Sequence, residues 1–175
     1  MKKIKWVFTV LTFVLLTGIA KAQSADQLIK DWERAKLYTR HYLDAMPEEN
    51  YAFKPTPESR TFAEHMLHFT DANFELAVLA GGIKSPIAAG AASKSADKSK
   101  SATIKMVMAG YDFVIDNIKN MTPAQFQDTV KVFDKYSMTK ATLINKIFEH
   151  QTHHRGQTTV YFRLKGITPP NEELF

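Results

Sequence analysis

The chain has 175 residues, of which 45% are hydrophobic and 23% are charged, and its formal net charge is +5. This composition is typical of one globular domain with a buried core, and it excludes collagen-like and low-complexity chains. Because the sequence contains no cysteine, it also excludes disulfide-stapled folds, thiolate metal sites and a cysteine nucleophile. Any metal site must therefore use histidine, aspartate or glutamate ligands.

The first 22 residues are predicted to be a signal peptide. Three lysines within residues 1–5 precede an apolar segment at 6–20, and the Ala-Lys-Ala sequence at 20–22 has the small-x-small pattern of a cleavage site. The apolar segment is shorter than the roughly 20 residues that a membrane-spanning helix needs, so a cleaved signal is favoured over an uncleaved membrane anchor. The mature protein would comprise residues 23–175 and would be extracytoplasmic, either periplasmic or secreted.

Cleavage would also change the charge of the protein. It would remove four of the 23 basic residues and no acidic residue, leaving 19 basic against 18 acidic residues and a net charge of +1. The excess of positive charge is therefore mainly a property of the targeting segment. We expect no nucleic-acid partner, and no stable membrane insertion after the signal is removed.

Apolar residues recur at helical spacing through most of the mature chain. Thr61 and Glu64 have the spacing of a capping box at a helix start, and a Gly-Gly pair ends that helix. Ser24 and Gln27 resemble a capping box for the helix before it. The four predicted helices cover residues 24–45, 61–81, 102–119 and 139–164.

The second and third helices are connected by a long segment at residues 81–101, which is rich in Gly, Ala, Ser and Lys. A link of this length could run the full height of a bundle, so these two helices could point in the same direction. Residues 130–133 favour a short extended segment, but no pair of strands is predicted. The sequence therefore predicts an all-α protein, a four-helix bundle with a long crossover between helices 2 and 3.

The last helix carries polar residues where a bundle core requires apolar ones. Alternating steps of four and three residues place one face of this helix along Leu143, Ile147, His150, His154, Gln157 and Tyr161. The two histidines lie one turn apart, and two buried imidazoles need partners for their ring nitrogens. A divalent metal accepts the lone pairs of both neutral rings, as in helical zinc sites. The alternatives are a hydrogen-bonded pair of core histidines, or a face that is shifted by one residue and leaves them exposed.

A metal would need further ligands, and the sequence has four other histidines. His65 and His68 on the second helix could each face the interior, and either could supply the third ligand. His153 lies about 100° around the last helix from His154, so it is expected to support the site or to face solvent. His41 is expected on a solvated face.

Three more residues of the last helix have expected roles. Gln157 would either make a core contact or orient a substrate. Arg155 would either attract an anionic substrate or form a salt bridge between helices. Gly156 predicts a close helix contact, because glycine inside a helix otherwise costs about 1 kcal/mol.

Two metalloenzyme classes are excluded by the residues around the histidine pair. A His-Glu-x-x-His zinc protease needs a glutamate after its first histidine as general base, and that position is Gln151. A di-iron Glu-x-x-His motif would need glutamate at position 147 or 151, which are Ile and Gln. The sequence also has no glycine-rich phosphate loop and no Gly-x-Ser-x-Gly elbow.

Several segments together match the pattern of a known family. They are HQTHHRGQ at 150–157, YFRLKG at 161–166, the Pro-Pro pair at 169–170, RTFAEHMLH at 60–68, Ala-Asn at 72–73, and Tyr-x-Phe-x-Pro at 51–55. The first three resemble the closing signature of the DinB-like superfamily, and the others resemble its second-helix motif and the segment before it. The resemblance extends over essentially the whole mature chain.

This resemblance implies a four-helix bundle, often a homodimer, with a divalent metal that is usually zinc or nickel. Carried over position by position, the implied ligands are His68, His150 and His154. Characterised relatives include thiol S-transferases that use bacillithiol or mycothiol, and a mycothiol-dependent maleylpyruvate isomerase. Because low-molecular-weight thiols are cytosolic, the predicted export signal disfavours thiol transfer for this chain.

Three nitrogen ligands would leave an open coordination position, which is typical of a catalytic metal rather than a structural one. We therefore expect a metal-dependent transferase or hydrolase that acts on a small molecule of unknown identity, with Zn2+ as the first choice of metal and Ni2+ as the second. The alternatives are a non-enzymatic exported bundle that binds metal or a partner, and a helical interaction module without metal.

Overall fold

The structure is a computed structural model that describes residues 25–175. Within this range the chain forms four long helices, which confirms the predicted all-α class and four-helix bundle. They are α1 (Ala25–Ala45), α2 (Phe62–Gly81), α3 (Lys100–Lys119) and α4 (Lys140–Leu164). The predicted signal peptide and the predicted cap at Ser24 lie outside the described residues. None of the helices between residues 25 and 175 is both long enough and apolar enough to cross a membrane.

Both ends of α2 have the capping interactions that the sequence predicts. The Thr61 hydroxyl accepts a hydrogen bond from the Glu64 N–H, and the Glu64 carboxylate accepts one from the Thr61 N–H. Gly82 ends α2 in the left-handed region, with φ of 83°. At the start of α4, the Thr139 hydroxyl accepts from the Thr142 N–H.

Helices α2 and α3 are parallel. The Phe69 and Tyr111 rings are in contact near the middle of the two helices, and the Ile83 N–H donates to Asn117 Oδ1 where both helices end. Beside the Phe69–Tyr111 contact, Gly110 allows a close approach, since a Cβ there would lie 2.8 Å from Thr70 Cγ2. The long crossover therefore returns the chain to the same end of the bundle.

Helix α4 lies parallel to α1 and antiparallel to α2. Trp32 and Tyr42 of α1 contact Phe148 and Phe162 of α4 in that order. On the other side, residues early in α2 lie opposite residues late in α4, as the contact between the His65 and Tyr161 rings shows. The antiparallel α2–α4 pair places the predicted metal ligands of both helices at the same height in the bundle.

The crossover between α2 and α3 is attached to α2 by two carboxylates one turn apart. Asp71 accepts hydrogen bonds from the N–H groups of Ala92 and Ser93, at 2.8 and 2.9 Å. Glu75 accepts one from the Gly90 N–H at 2.7 Å. These bonds satisfy backbone groups that would otherwise have no partner in a non-helical segment.

A short β-hairpin precedes α4, and here the prediction of no paired strands was wrong. Strand β1 (Thr129–Val132) pairs antiparallel with β2 (Tyr136–Thr139). Phe133 and Asp134 in the turn both have φ of 52°, and the Lys135 N–H donates to the Val132 carbonyl. The sequence Phe-Asp-Lys lacks the Asn-Gly or Asp-Gly signal that favours such a turn, so the second strand had no local sequence signal.

The expected close contact at Gly156 was also wrong. A Cβ built on this residue meets nothing within 4 Å, because Gly156 lies on the exposed side of α4.

Candidate metal centre

Three imidazoles from two helices converge inside the bundle. His68 of α2 and His150 and His154 of α4 each offer a ring nitrogen, and the three nitrogens all lie within 4.8 Å of one another. The Nε2 atoms of His150 and His154 are 3.1 Å apart. These are the three residues that the resemblance implied as ligands.

The spacing of α4 explains why its two histidines meet. They are separated by four residues, so both project from one face of the helix. Ile147 and Tyr161, further along the same face, are buried as predicted. Gln157 is exposed instead, because the buried face continues through Thr158 rather than through the predicted three-residue step.

Burial keeps these imidazoles uncharged. Burial, followed by the neighbouring His150 and His68, lowers the pKa of His154 to about 3. The pKa of His68 is lowered by burial and then by Arg60, and that of His150 by burial and then by His68. At neutral pH each ring is therefore neutral and carries one lone pair that a cation can accept.

His65 lies behind His154 rather than among the three. Its Nδ1 atom is 3.2 Å from Nδ1 of His154, and both residues are buried, with exposed fractions of 8% and 7%. Burial, followed by Arg60, lowers the pKa of His65 to about 4. When His154 donates its Nδ1–H to His65, the lone pair of His154 is at Nε2, which faces His150.

The donor set fits a divalent cation. The Nε2 atoms of His150 and His154 are 3.1 Å apart, so they cannot both carry a proton directed at each other. The pair therefore needs one shared proton or one shared cation between the two nitrogens. Zinc–nitrogen bonds of about 2.0–2.1 Å at a tetrahedral angle separate two ligand nitrogens by about 3.4 Å, close to the observed distance. Nδ1 of His150 is also buried without a hydrogen-bond partner among the described residues.

Two cavities lie on either side of the histidines. The first, of about 440 Å³, is lined by His68 and His150 together with residues of the hairpin and the crossover. The second, of about 590 Å³, is lined by His65, Arg60 and Gln157, but by none of the three converging histidines. A metal held by the three histidines would therefore adjoin the first cavity.

A family model described as the DinB family matches residues 21–174. The chain belongs to the DinB family. No curated protein matches it. The match spans nearly all of the chain and includes α2 and α4, the two helices that carry the three converging histidines.

Three solved structures show that the fold is the one found in other DinB-like proteins. A DinB-like protein from Bacillus cereus is 19% identical, with a TM-score of 0.68, and the match covers 84% of this chain and 96% of that one. The DinB-like protein YjoA from Bacillus subtilis is 19% identical, with a TM-score of 0.64 and coverage of 85% and 99%. YfiT from Bacillus subtilis, 18% identical with a TM-score of 0.61 and coverage of 86% and 93%, is described as a probable metal-dependent hydrolase with an unusual four-helix bundle topology.

The remaining histidines of this DinB-family chain lie outside the cluster. His153 is exposed beside His154, with ring centroids 5.0 Å apart. His41 is further away on α1, where its Nδ1 is 2.6 Å from a carboxylate oxygen of Glu173 in the C-terminal tail. Neither residue belongs to the group of converging nitrogens. His153 is exposed, one of its two expected positions, and His41, expected on a solvated face, is partly exposed.

A buried polar network packs behind the cluster in this DinB-family protein, and the sequence did not predict it. Arg155, with 4% exposure, donates to Gln151 Oε1 and Thr39 Oγ1, and its guanidinium lies 4.2 Å from the centroid of the Tyr38 ring. The Tyr111 hydroxyl donates to the same Gln151 oxygen at 2.7 Å, and burial raises the pKa of Tyr111 to about 12. Among residues 25–175 Arg155 has no salt bridge, so that expected role was wrong, and its other expected role, the attraction of an anionic substrate, stays a prediction.

Proposed function

We propose that this protein is a metal-dependent enzyme, a hydrolase or transferase acting on a small molecule, whose metal is one Zn2+ held by His68, His150 and His154. The observation that carries the proposal is the convergence of three imidazole nitrogens within 4.8 Å beside a cavity of about 440 Å³. Neutral nitrogen ligands in a compact site suit zinc best, and Ni2+ is the second choice.

The residues around the site have separate roles in this proposal. A bound divalent cation would act as a Lewis acid and lower the pKa of a coordinated water toward about 7. His65 orients the His154 ring through the contact between their Nδ1 atoms. Burial lowers the pKa of each ligand imidazole, so the three rings remain uncharged at neutral pH. The adjoining cavity would give a small molecule access to a metal held by these histidines.

The second candidate is a non-enzymatic protein that stores or senses metal. A storage site would be expected to close its fourth position with another protein ligand. Among residues 25–175, the acidic side chains that line the cavity, Asp71 and Glu75, instead bond the crossover backbone. This arrangement supports catalysis over storage.

Export is part of the proposal but rests on sequence alone. The signal-like segment at residues 1–22 indicates that the mature enzyme acts in the periplasm or outside the cell. In such a compartment the substrate would be a small molecule other than a cytosolic thiol. A homodimer is proposed on the resemblance to DinB-like proteins.

Metal content tests the proposal when it is measured on purified protein and on two matched variants, together with a substrate screen. We expect about one equivalent of divalent metal in the wild type and in His41→Ala, whose histidine lies outside the cluster. His150→Ala should lose most of the metal and any activity found in the screen. The proposal would be overturned by full metal content in His150→Ala, or by the absence of metal from wild-type protein that has not been exposed to a chelator.

A further inference from the structure

The cavity beside His68 and His150 lies between the two non-helical parts of the bundle. The hairpin contributes Phe133 to its lining, the crossover contributes Gly90, and α2 contributes Ala72 and Leu76. Its volume, about 440 Å³, is in the range of small-molecule sites. The cavity is therefore lined by two of the proposed metal ligands, His68 and His150, and by one large aromatic side chain, Phe133.

Phe133 has a backbone conformation that the hairpin turn requires but that suits a bulky side chain poorly. Its φ is 52°, in the left-handed region that bulky residues avoid at a cost of about 1–2 kcal/mol. Its side chain is 74% exposed, so burial does not offset this cost. Glycine or asparagine would suit the turn better. Strained, exposed residues of this kind cluster at ligand sites.

The charged groups around the cavity are already bonded within the protein. Asp71 and Glu75 accept hydrogen bonds from the crossover backbone. Lys146, on the α4 side, is paired with Glu149 at 2.6 Å. The surface left for a ligand beyond the histidines is therefore mainly the aromatic ring of Phe133 and the aliphatic side chains of α2.

Resting on the proposed function, we infer that the substrate combines a polar, metal-binding group with an aryl or similarly bulky apolar group, and that Phe133 determines this specificity. The apolar group of the substrate packs against the Phe133 ring, and its polar group binds the metal. Phe133 is thus a binding residue, and its strained position is retained for the ligand rather than for stability.

A pair of zinc-binding probes separates the two parts of the cavity. Acetohydroxamate has the metal-binding group with only a methyl group, whereas 3-phenylpropanohydroxamate adds a benzyl group that carries the phenyl ring. Titrated calorimetrically into the zinc-loaded protein, both should bind, and the phenyl probe should bind about tenfold more tightly because its ring buries apolar surface. Phe133→Ala should remove most of that advantage and leave the affinity for acetohydroxamate unchanged.

Two further variants keep the test interpretable. Tyr136→Ala removes another aromatic ring of the hairpin, 49% exposed and not part of the cavity lining, and should keep the phenyl advantage. Phe133→Gly suits the positive φ, so it should raise the melting temperature of the metal-free protein while losing the phenyl advantage. This variant also keeps the test valid if Phe133→Ala folds poorly.

The outcomes distinguish this inference from the proposed function. Failure of acetohydroxamate to bind the zinc-loaded protein would mean that the metal has no open position, and both proposals would fall. If acetohydroxamate binds but the phenyl probe has no advantage, or keeps it in Phe133→Ala and Phe133→Gly, only the specificity inference is overturned. An equal loss of the phenyl advantage in Tyr136→Ala would also overturn the specificity inference, because the loss would then be a property of the whole hairpin and not of Phe133.

Discussion

At the scale of single residues, His154 has the most constrained environment in the site. Its Nδ1 faces His65 at 3.2 Å and its Nε2 faces His150 at 3.1 Å. A metal can bind Nε2 of the neutral His154 ring only if the ring proton is on Nδ1. The Nδ1–H group can then donate a hydrogen bond to His65. His65 is therefore expected to act as a positioning residue that selects the tautomer and orientation of His154.

Removing His65 should weaken metal binding without removing a ligand. We expect His65→Leu to lower the zinc affinity about 10- to 100-fold, the usual effect of losing a partner behind a ligand histidine. His153→Leu is the matched control, because His153 also adjoins His154 but is exposed. Competition titration against a zinc chelator measures the zinc affinity of both variants. Equal zinc affinities of His65→Leu and His153→Leu would contradict the positioning role of His65.

The metal-free protein should lose stability in acid. Burial lowers the pKa of His65 to about 4 and that of His154 to about 3, whereas both are near 6.5 in an unfolded chain. Between these values the unfolded state binds more protons, so stability is complete above pH 6.5 and falls as the pH drops toward 4. Around His65, Arg60 and the neighbouring histidines lower the pKa and Glu64 raises it.

Melting temperatures of the metal-free protein at pH 7.5 and pH 4.5 test this expectation. The wild type should lose several degrees, and His65→Leu should lose less because one buried imidazole is gone. Melting temperatures that do not change over this range would show that the histidines are not held neutral by burial.

The spacing of residues alone identified two of the three proposed ligands, and the resemblance to DinB-like proteins supplied the third, His68. The four-residue spacing of His150 and His154 predicts that they meet. The choice between His65 and His68 depends on how α2 is rotated against α4, which no local pattern specifies. Gln157 was assigned to the buried face by heptad steps, but a helix with 3.6 residues per turn drifts from a 3.5-residue repeat, and Thr158 is buried in its place.

At the scale of elements, the helices follow from local signals whereas the segments between them do not. The capping box and the glycine pair predict the bounds of α2 closely, since these signals act within a few residues. The hairpin lacks the turn residues that would predict it, and the bonds from the crossover to Asp71 join groups 21 and 22 residues apart in the sequence. These unpredicted segments form the walls of the proposed substrate cavity.

Two glycines inside helices provide a matched test of packing. At Gly110 an added methyl group would lie 2.8 Å from Thr70 Cγ2, whereas at Gly156 it would meet nothing within 4 Å. We expect Gly110→Ala to destabilise the protein by about 1–3 kcal/mol through overpacking. Gly156→Ala should stabilise it by up to about 1 kcal/mol through helix propensity.

Urea denaturation of the two glycine variants measures both changes against the wild type. Opposite signs are the expected result. Stabilisation by both substitutions would mean that α2 and α3 are not in close contact at Gly110.

At the scale of the whole molecule, the direction of the helices creates the site. The long crossover allows α2 and α3 to be parallel, and α4 then lies antiparallel to α2, with His68 opposite His150 and His154. The length of the crossover permitted this topology, but the sequence alone did not require it. A cation bound here would join two helices whose ligands, His68 and His150, are 82 positions apart in the sequence, and would stabilise the folded state by mass action.

Anomalous diffraction at the zinc edge, from crystals of the zinc-loaded protein, is the most direct test of the proposed metal centre. We expect one strong peak inside the bundle, about 2.0–2.1 Å from one nitrogen each of His68, His150 and His154. A crystal with no internal peak, or with zinc bound elsewhere while these three rings remain unliganded, would contradict it.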